Sequence, residues 1–109
     1  MKVYEAIAQS LIAEGVTDFF GLMGDGNMWL WSALCRNPSV KPYNARHESM
    51  AVSMADGYTR TTGKIGVAMV TCGPGRMAAR ATARGNCSPC HIRLASHRVR
   101  LGSDGSERW

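Results

Sequence analysis

The sequence contains no apolar run close to the roughly 20 residues that a helix needs to cross a bilayer. Its first residues, Met-Lys-Val-Tyr-Glu-Ala-Ile, also lack the long apolar stretch ending in small residues that marks a secretory signal. We therefore expect a cytoplasmic protein without membrane contact, whose four cysteines are thiols rather than disulfides. A chain of 109 residues has room for one small domain.

Lysine is absent after residue 75, and acidic residues are scarce there. Residues 1–75 hold six basic and six acidic residues, whereas residues 76–109 hold seven arginines and only Asp104 and Glu107. The whole net charge of +5 therefore lies in this tail. Such asymmetry can mark a nucleic-acid-binding tail, but Trp109 is the one aromatic residue there for base stacking. The composition disfavours a nucleic-acid partner, and a basic interaction module remains an alternative.

The first 75 residues alternate between helical and β-strand patterns. Apolar residues recur at helical spacing, with glycine or Asn-Pro as stops, over 2–14, 27–34 and 50–58. Asn27 is expected to cap the second of these helices. Strands are expected between them, at 16–22, 40–45 and 65–70. The last is almost entirely apolar, as in a strand that is covered on both faces.

This alternation predicts an α/β fold in three layers, a parallel sheet with flanking helices. From residue 76 onward, arginine and small residues dominate and the apolar residues are isolated. A helix could extend over 78–83, but no convincing strand follows. We therefore predict a partial domain over residues 1–75 and a disordered or irregular tail over residues 76–109.

Ligand sites of parallel sheets lie at the carboxyl ends of the strands. In the predicted sheet these ends are followed by three loops, at residues 21–27, 46–48 and 71–75. The first and third are glycine-rich, so their backbone could approach a ligand closely. The second contains Glu48, which would begin the third helix. We expect the functional residues in these three loops.

Four motifs in these loops and in the third helix carry a resemblance to a known family. They are, in chain order, Gly21-Leu-Met-Gly24, Arg46-His47-Glu48, Ala55-Asp56-Gly57-Tyr58 with Thr62-Gly63-Lys64, and Thr71-Cys-Gly-Pro-Gly75. Together they resemble the N-terminal, pyrimidine-binding (PYR) domain of thiamine-diphosphate-dependent enzymes such as acetohydroxyacid synthase, benzoylformate decarboxylase and pyruvate oxidase. The resemblance covers residues 2–75 and implies that the three-layer fold is incomplete, the first half of that domain. It departs from the family at Met23, where relatives have proline, and at Arg76-Met-Ala78, where relatives have an asparagine.

The resemblance implies that Glu48 is the catalytic residue. In the family, a glutamate at this position bonds a pyrimidine ring nitrogen and favours the imino tautomer that removes the thiazolium proton. This role requires a carboxyl group that shares a proton near neutral pH, which we expect of a desolvated side chain. By the same match, Gly24, Thr71 and Pro74 line the cofactor site together with Glu48. Without the flanking motifs, a helix-start carboxylate favoured by the macrodipole would be the simpler interpretation.

The resemblance further implies a complete enzyme that decarboxylates or ligates 2-oxo acids and works as a homo-oligomer, with its site between subunits. In that enzyme Mg²⁺ binds the diphosphate in a separate domain, so we expect no metal ligands in this chain and no turnover by it alone. A truncated gene or a change of reading frame near residue 75 would account for the tail. The competing hypothesis is a non-enzymatic remnant with the same fold.

Three further motifs resemble known binding sites, but the sequence disfavours each of these functions. Gly24-Asp-Gly26 resembles the start of the family's magnesium motif, but no asparagine follows at the required distance. The same glycines resemble a dinucleotide fingerprint in which Trp29 replaces the third glycine. Cys87-Ser-Pro-Cys90-His91 has the spacing of a haem attachment site and, with His97, could bind zinc. The simpler interpretation is that these cysteines belong to the basic tail.

Overall fold

The computed structural model describes residues 1–71, 74–85, 92–96, 100–101 and 107–108. Helices and strands alternate along these ranges as α1 (Val3–Ala13), β1 (Asp18–Gly21), α2 (Met28–Cys35), β2 (Lys41–Asn44), α3 (Glu48–Thr62), β3 (Gly66–Val70), α4 (Pro74–Gly85) and β4 (Ile92–Ser96). Two short strands follow, β5 (Arg100–Leu101) and β6 (Glu107–Arg108). The alternation from α1 to β3 is the one that the apolar periodicity predicts.

The sheet contains four parallel strands in the order β2-β1-β3-β4. Phe19 of β1 is paired with Pro42 of β2 on one side and with Val67 of β3 on the other. Strand β2 lies at the edge, where all four of its residues are exposed. Because proline has no N–H to donate to a neighbouring strand, Pro42 suits this edge position. Strands β5 and β6 form a separate antiparallel pair.

Two apolar clusters cover the two faces of the sheet. One joins residues of α1, α2, β1 and β3, namely Ala8, Trp31, Leu34, Phe19, Val67 and Met69, together with Val16 and Val40. The other joins residues of α3, α4, β1 and β3, namely Val52, Ala55, Ala79, Phe20, Ala68 and Val70. All five residues of β3 are buried, because successive side chains of a strand point into opposite clusters. The predicted three-layer α/β architecture is confirmed.

Helix α3 lies unusually close to the central strand β3. A Cβ atom on Gly66 would overlap the carbonyl oxygen of Ala55, so the helix backbone contacts the strand where no side chain separates them. The helix ends at Gly63, whose φ of +72° is a left-handed conformation that favours glycine. There the Gly63 N–H donates to the carbonyl of Thr59 at 2.9 Å. These contacts fix the position of α3, and therefore of its first residue, Glu48.

The structure continues beyond residue 75 with elements that the sequence pattern predicts only in part. Helix α4 spans Pro74–Gly85, which is longer than the possible helix over 78–83. Strand β4 was not predicted, and it pairs in parallel with β3 from Gly66↔Ile92 to Val70↔Ser96. The predicted irregular tail also includes residues 86–91, 97–99, 102–106 and 109, which lie outside the described residues. The domain boundary at residue 75 stays a prediction.

Within the described ranges, no helix combines the length and the apolar character needed to cross a membrane.

A carboxylate at the start of β1 connects α3 to the sheet. Asp18 Oδ2 accepts hydrogen bonds from Thr17 Oγ1 at 2.7 Å and from Tyr58 Oη of α3 at 2.9 Å. Partial burial raises the pKa of Asp18, but hydrogen bonds from Thr17, Tyr58 and Tyr43 and the charge of Lys41 lower it by more. The net pKa is therefore below the ordinary value of 3.8.

We predict that acid weakens the fold through Asp18. Because the folded-state pKa lies below the ordinary 3.8, the carboxylate stabilises the fold above that pH, and this contribution is lost as the pH falls through the folded-state pKa. In urea unfolding from pH 7 downward, the free energy of unfolding should fall in the wild type and should fall less in Asp18→Asn. Asp25→Asn, which removes an exposed carboxylate, is the control, and an unchanged acid response in Asp18→Asn would contradict the prediction.

Tyr58→Phe removes the hydroxyl that donates to Asp18 and should lower the free energy of unfolding at pH 7 by about 1 kcal/mol.

Candidate functional site

The loops after β1, β2 and β3 begin at the same edge of the sheet, as predicted, because the three strands are parallel. Two backbone hydrogen bonds continue the strand pairing into these loops. Ala45 N–H, after β2, donates to the carbonyl of Gly21 at 2.9 Å, and Leu22 N–H, after β1, donates to the carbonyl of Met69 at 3.2 Å. The loops therefore diverge only beyond these residues.

The side chain of Asn27 holds the first loop closed. Its Oδ1 accepts from the N–H of Gly24 at 2.8 Å, and its Nδ2 donates to the carbonyl of Leu22 at 2.9 Å. Asn27 does occupy the N-cap position of α2, but its side chain makes no capping bond, so the predicted capping role is wrong. The buried Asn27 instead satisfies backbone groups of the loop, which need partners once the loop folds over the sheet.

The first loop contacts the third through Gly24 and Thr71. A Cβ atom on Gly24 would lie 2.8 Å from Thr71 Cγ2, which is closer than real Cβ atoms come to their neighbours. Two of the predicted cofactor-binding residues are therefore adjacent. Met23, the position where the sequence departs from the family's proline, lies beside them with its side chain exposed.

Glu48 is the first residue of α3 and is half-buried. The helix is capped by the preceding residue, because His47 Nδ1 accepts from the N–H of Ser49 at 3.2 Å and lies 2.7 Å from Ser49 Oγ. Since a backbone N–H can only donate, His47 Nδ1 is the acceptor of this bond. His47 thus fixes the backbone on which Glu48 is carried.

The carboxylate of Glu48 lies directly against the backbone of Gly75. A Cβ atom on Gly75 would overlap Cδ and both carboxylate oxygens of Glu48, so the carboxylate would have to move from this position if residue 75 had a side chain. Gly75 is half-buried in the first turn of α4, next to the exposed Pro74. The sequence pattern places Gly75 in a glycine turn but not among the predicted site residues. Its signal was the Gly-Pro-Gly spacing, which does not reveal what the glycine contacts.

The structure thus brings all four predicted site residues to one edge of the sheet. Gly24 contacts Thr71, Glu48 contacts Gly75, and Pro74 adjoins Gly75. Glycine backbone lets a flat ring approach closely, and a carboxyl group beside it can form a hydrogen bond with the edge of that ring. The arrangement brings the Glu48 carboxylate, glycine backbone and the Thr71 hydroxyl to one edge, and these groups are suited to binding a polar organic ring.

Nothing in the described part of the chain groups three or more His, Cys, Asp or Glu side chains around a place for a metal ion. The cysteine and histidine residues with haem-like or zinc-like spacing, Cys87, Cys90, His91 and His97, lie outside the described residues.

The Ala55–Tyr58 motif stabilises the fold rather than the candidate site. Ala55 makes the close approach to β3 at Gly66, and Asp56 forms an ion pair with Arg60 at 2.9 Å. The Tyr58 hydroxyl donates a hydrogen bond to Asp18, the first residue of β1, at the end of the strand opposite to the site. This part of the family resemblance therefore concerns the placement of α3.

A set of exposed apolar side chains, here called the methionine collar, surrounds the site edge. Each belongs to a loop that follows a strand or to the first turn of the next helix, and exposure ranges from 41% for Met28 to 63% for Met77. The collar consists of Met23, Met28, Trp29, Met50 and Met77. Large apolar side chains grouped on a surface mark places where another molecule or domain binds.

Comparison with known proteins decides the family. Residues 1–90 match the model of the thiamine pyrophosphate enzyme family's N-terminal TPP binding domain. The chain belongs to this family. The match extends past residue 75, where the resemblance read from the sequence ends. The predicted relation to TPP-binding PYR domains is confirmed.

Curated relatives of this TPP-binding domain are acetolactate synthases. The large subunit from Buchnera aphidicola subsp. Schizaphis graminum is 45% identical over 71 residues, and isozyme 3 from Escherichia coli is 42% identical over 71 residues. Both alignments cover 65% of this chain and 12% of the relative. A chloroplastic synthase from Nicotiana tabacum is 39% identical over 74 residues, 68% of this chain and 11% of the relative. The chain spans about an eighth of the length of these relatives.

A solved structure has the same fold as this TPP-binding domain. It is an X-ray structure of a protein from Mycobacterium smegmatis assigned as a thiamin diphosphate-dependent enzyme. The TM-score is 0.73 and the superposition covers 90% of this chain and 19% of that one, at 19% sequence identity. At that identity the likeness concerns the fold alone. The comparisons give no support to the alternatives of an inactive remnant or a basic interaction module.

We predict that the TPP-binding domain depends on the His47 cap for part of its stability. His47→Ala removes the acceptor for the Ser49 N–H and should lower the free energy of unfolding by about 1 kcal/mol. His47→Asn keeps a side-chain acceptor of the preferred kind and should restore most of that loss. Urea unfolding followed by circular dichroism measures both variants. Equal losses in the alanine and asparagine variants would show that the cap contributes nothing.

Proposed function

We propose that the site edge binds the aminopyrimidine ring of thiamine diphosphate, with Glu48 as the catalytic residue and Gly24, Thr71 and Pro74 as further contacts. The observation that carries the proposal is the position of the Glu48 carboxylate against the unsubstituted backbone of Gly75. Gly24 lies against the Thr71 side chain and Gly75 lies against the Glu48 carboxylate, and the two glycines leave backbone surface for a flat ring at this edge. Membership of the TPP-binding family supports the choice of cofactor.

The residues at the edge fit the pyrimidine half of the cofactor. A carboxyl group can hold a proton toward a ring nitrogen, and backbone groups of the glycine loops can bond the exocyclic amino group. When bound, thiamine diphosphate supplies carbanion chemistry at its thiazolium ring. The task of Glu48 is to share a proton with the pyrimidine nitrogen in a fixed direction.

The remainder of the proposal concerns a complete enzyme of which this domain would be one part. In it, a 2-oxo acid is decarboxylated or ligated, and a separate domain holds Mg²⁺ and the diphosphate. The relatives named acetolactate synthase support this reaction class. A cytoplasmic location belongs to the same proposal.

We also propose that the complete enzyme is a homo-oligomer in which a second subunit covers the site edge. The methionine collar supports this, because it places five large apolar side chains around the edge in contact with solvent. Their burial against another subunit would remove apolar surface from water, which is the main driving force of association. It would also exclude water from the carboxylate, which strengthens its interaction with a ring nitrogen.

The proposal predicts that Glu48→Gln removes the proton that the carboxyl group shares with the pyrimidine nitrogen. The substitution keeps the size and shape of the side chain. In a complete acetolactate synthase that carries this segment, exchange of the cofactor C2 proton with deuterium should slow by about 10² to 10⁴. This exchange is measured by NMR after acid quench, and it isolates proton removal from later steps. The His47→Ala variant is the control and should slow exchange much less, because it removes a helix cap and no proton carrier. An unchanged exchange rate in Glu48→Gln would refute the assignment.

A further inference from the structure

The backbone conformation at position 75 is helical and does not require glycine. Gly75 lies within helix α4, where alanine favours the helix by about five-fold in equilibrium constant over glycine. Gly57 provides a comparison, because it also lies inside a helix, α3, and a Cβ atom there would meet nothing within 4 Å. Helix propensity disfavours glycine at both positions. At Gly75 the space is filled by the Glu48 carboxylate.

Helix α4 cannot move away from that carboxylate without loss of packing. Ala79, one turn after Gly75, is fully buried in the cluster that contains Val52 and Ala55 of α3. The same two helices therefore contact each other through an apolar cluster and, at their first turns, through Gly75 and Glu48. A side chain at position 75 would have to displace either the carboxylate or the buried cluster.

We propose that Gly75 is a positioning residue for Glu48: its lack of a side chain lets the α4 backbone form the wall that sets the direction of the carboxylate. This inference rests on the proposed function of Glu48 for its catalytic meaning. The wall limits the rotamers open to the Glu48 carboxyl group and so sets the direction in which it can reach a ligand. An alanine at position 75 pushes the carboxylate away from this direction while leaving its charge and length unchanged.

A double-mutant cycle on the 109-residue chain tests the contact without any cofactor. In urea unfolding, Gly75→Ala should change the folding equilibrium constant less favourably when Glu48 is present, because the carboxylate must then move aside to admit the Cβ atom. In the Glu48→Ala background the overlap is gone, so the same change should have no cost or should raise the constant by up to about five-fold. Gly57→Ala, the matched control, should raise it similarly in both backgrounds.

The outcomes separate cleanly. Equal effects of Gly75→Ala on the folding equilibrium constant in both backgrounds would overturn the proposal, because Glu48 would then not be involved. If Gly75→Ala prevents folding, recovery of the folded chain in the Glu48→Ala, Gly75→Ala double variant supports the proposal, and failure to recover overturns it. The cycle involves no thiamine diphosphate, so its result does not depend on the proposed function.

Two measurements show whether Gly75 positions the Glu48 carboxyl group or only packs against it: the carboxyl resonance of Glu48 and the rate of C2-proton exchange. With ¹³C-labelled glutamate, the carboxyl resonance of Glu48 should shift in Gly75→Ala and stay in place in Gly57→Ala. In a complete relative, Gly75→Ala should slow C2-proton exchange by at least ten-fold with the Glu48 carboxyl still present. A shifted resonance with unchanged exchange would show that direction does not matter and would overturn the positioning role. Unchanged exchange in Glu48→Gln would instead refute the proposed function alone.

Discussion

The close approach of α3 to β3 determines where the site lies. Because no side chain stands between Gly66 and the Ala55 carbonyl, the helix rests on the strand backbone, and the Tyr58–Asp18 hydrogen bond fixes the same part of the helix to β1. A helix is stiff and rises about 1.5 Å per residue, so Glu48 is held roughly 10 Å from that anchor. The contacts of residues 55–58 therefore set the position of Glu48, because both belong to the same stiff helix.

Much of the fold could be predicted from apolar spacing, because α1, α2, α3, β1 and β3 each contribute residues to at least one of the two clusters. The adjacent Phe19 and Phe20 illustrate this, since one faces each cluster. Strand β4 was missed because Ile92 and Leu94 alone make a weak pattern, and its partner β3 lies more than 20 residues earlier. Asn27 was misinterpreted because helix-start statistics do not show that nearby loop amides compete for its side chain.

The site was predictable by resemblance and only weakly by local chemistry. A glutamate at the start of a helix has a sufficient explanation in the macrodipole, and only the motifs on the neighbouring strands indicate more. Gly75 could not be assigned from the sequence, because its role depends on how the first turns of α3 and α4 meet in space. The three-dimensional contact explains why a glycine stands where helix propensity opposes it.

The most direct test of the central claim is carboxyl NMR of the chain labelled with ¹³C-glutamate, titrated with thiamine diphosphate. Glu48 is identified by the resonance that disappears in Glu48→Gln, and Glu5 and Glu14, which lie on α1 and at its C-cap, serve as internal references. The account predicts a saturable shift of the Glu48 resonance with the two references unmoved. A Glu48 resonance that stays in place, or that moves only together with both references, would contradict it.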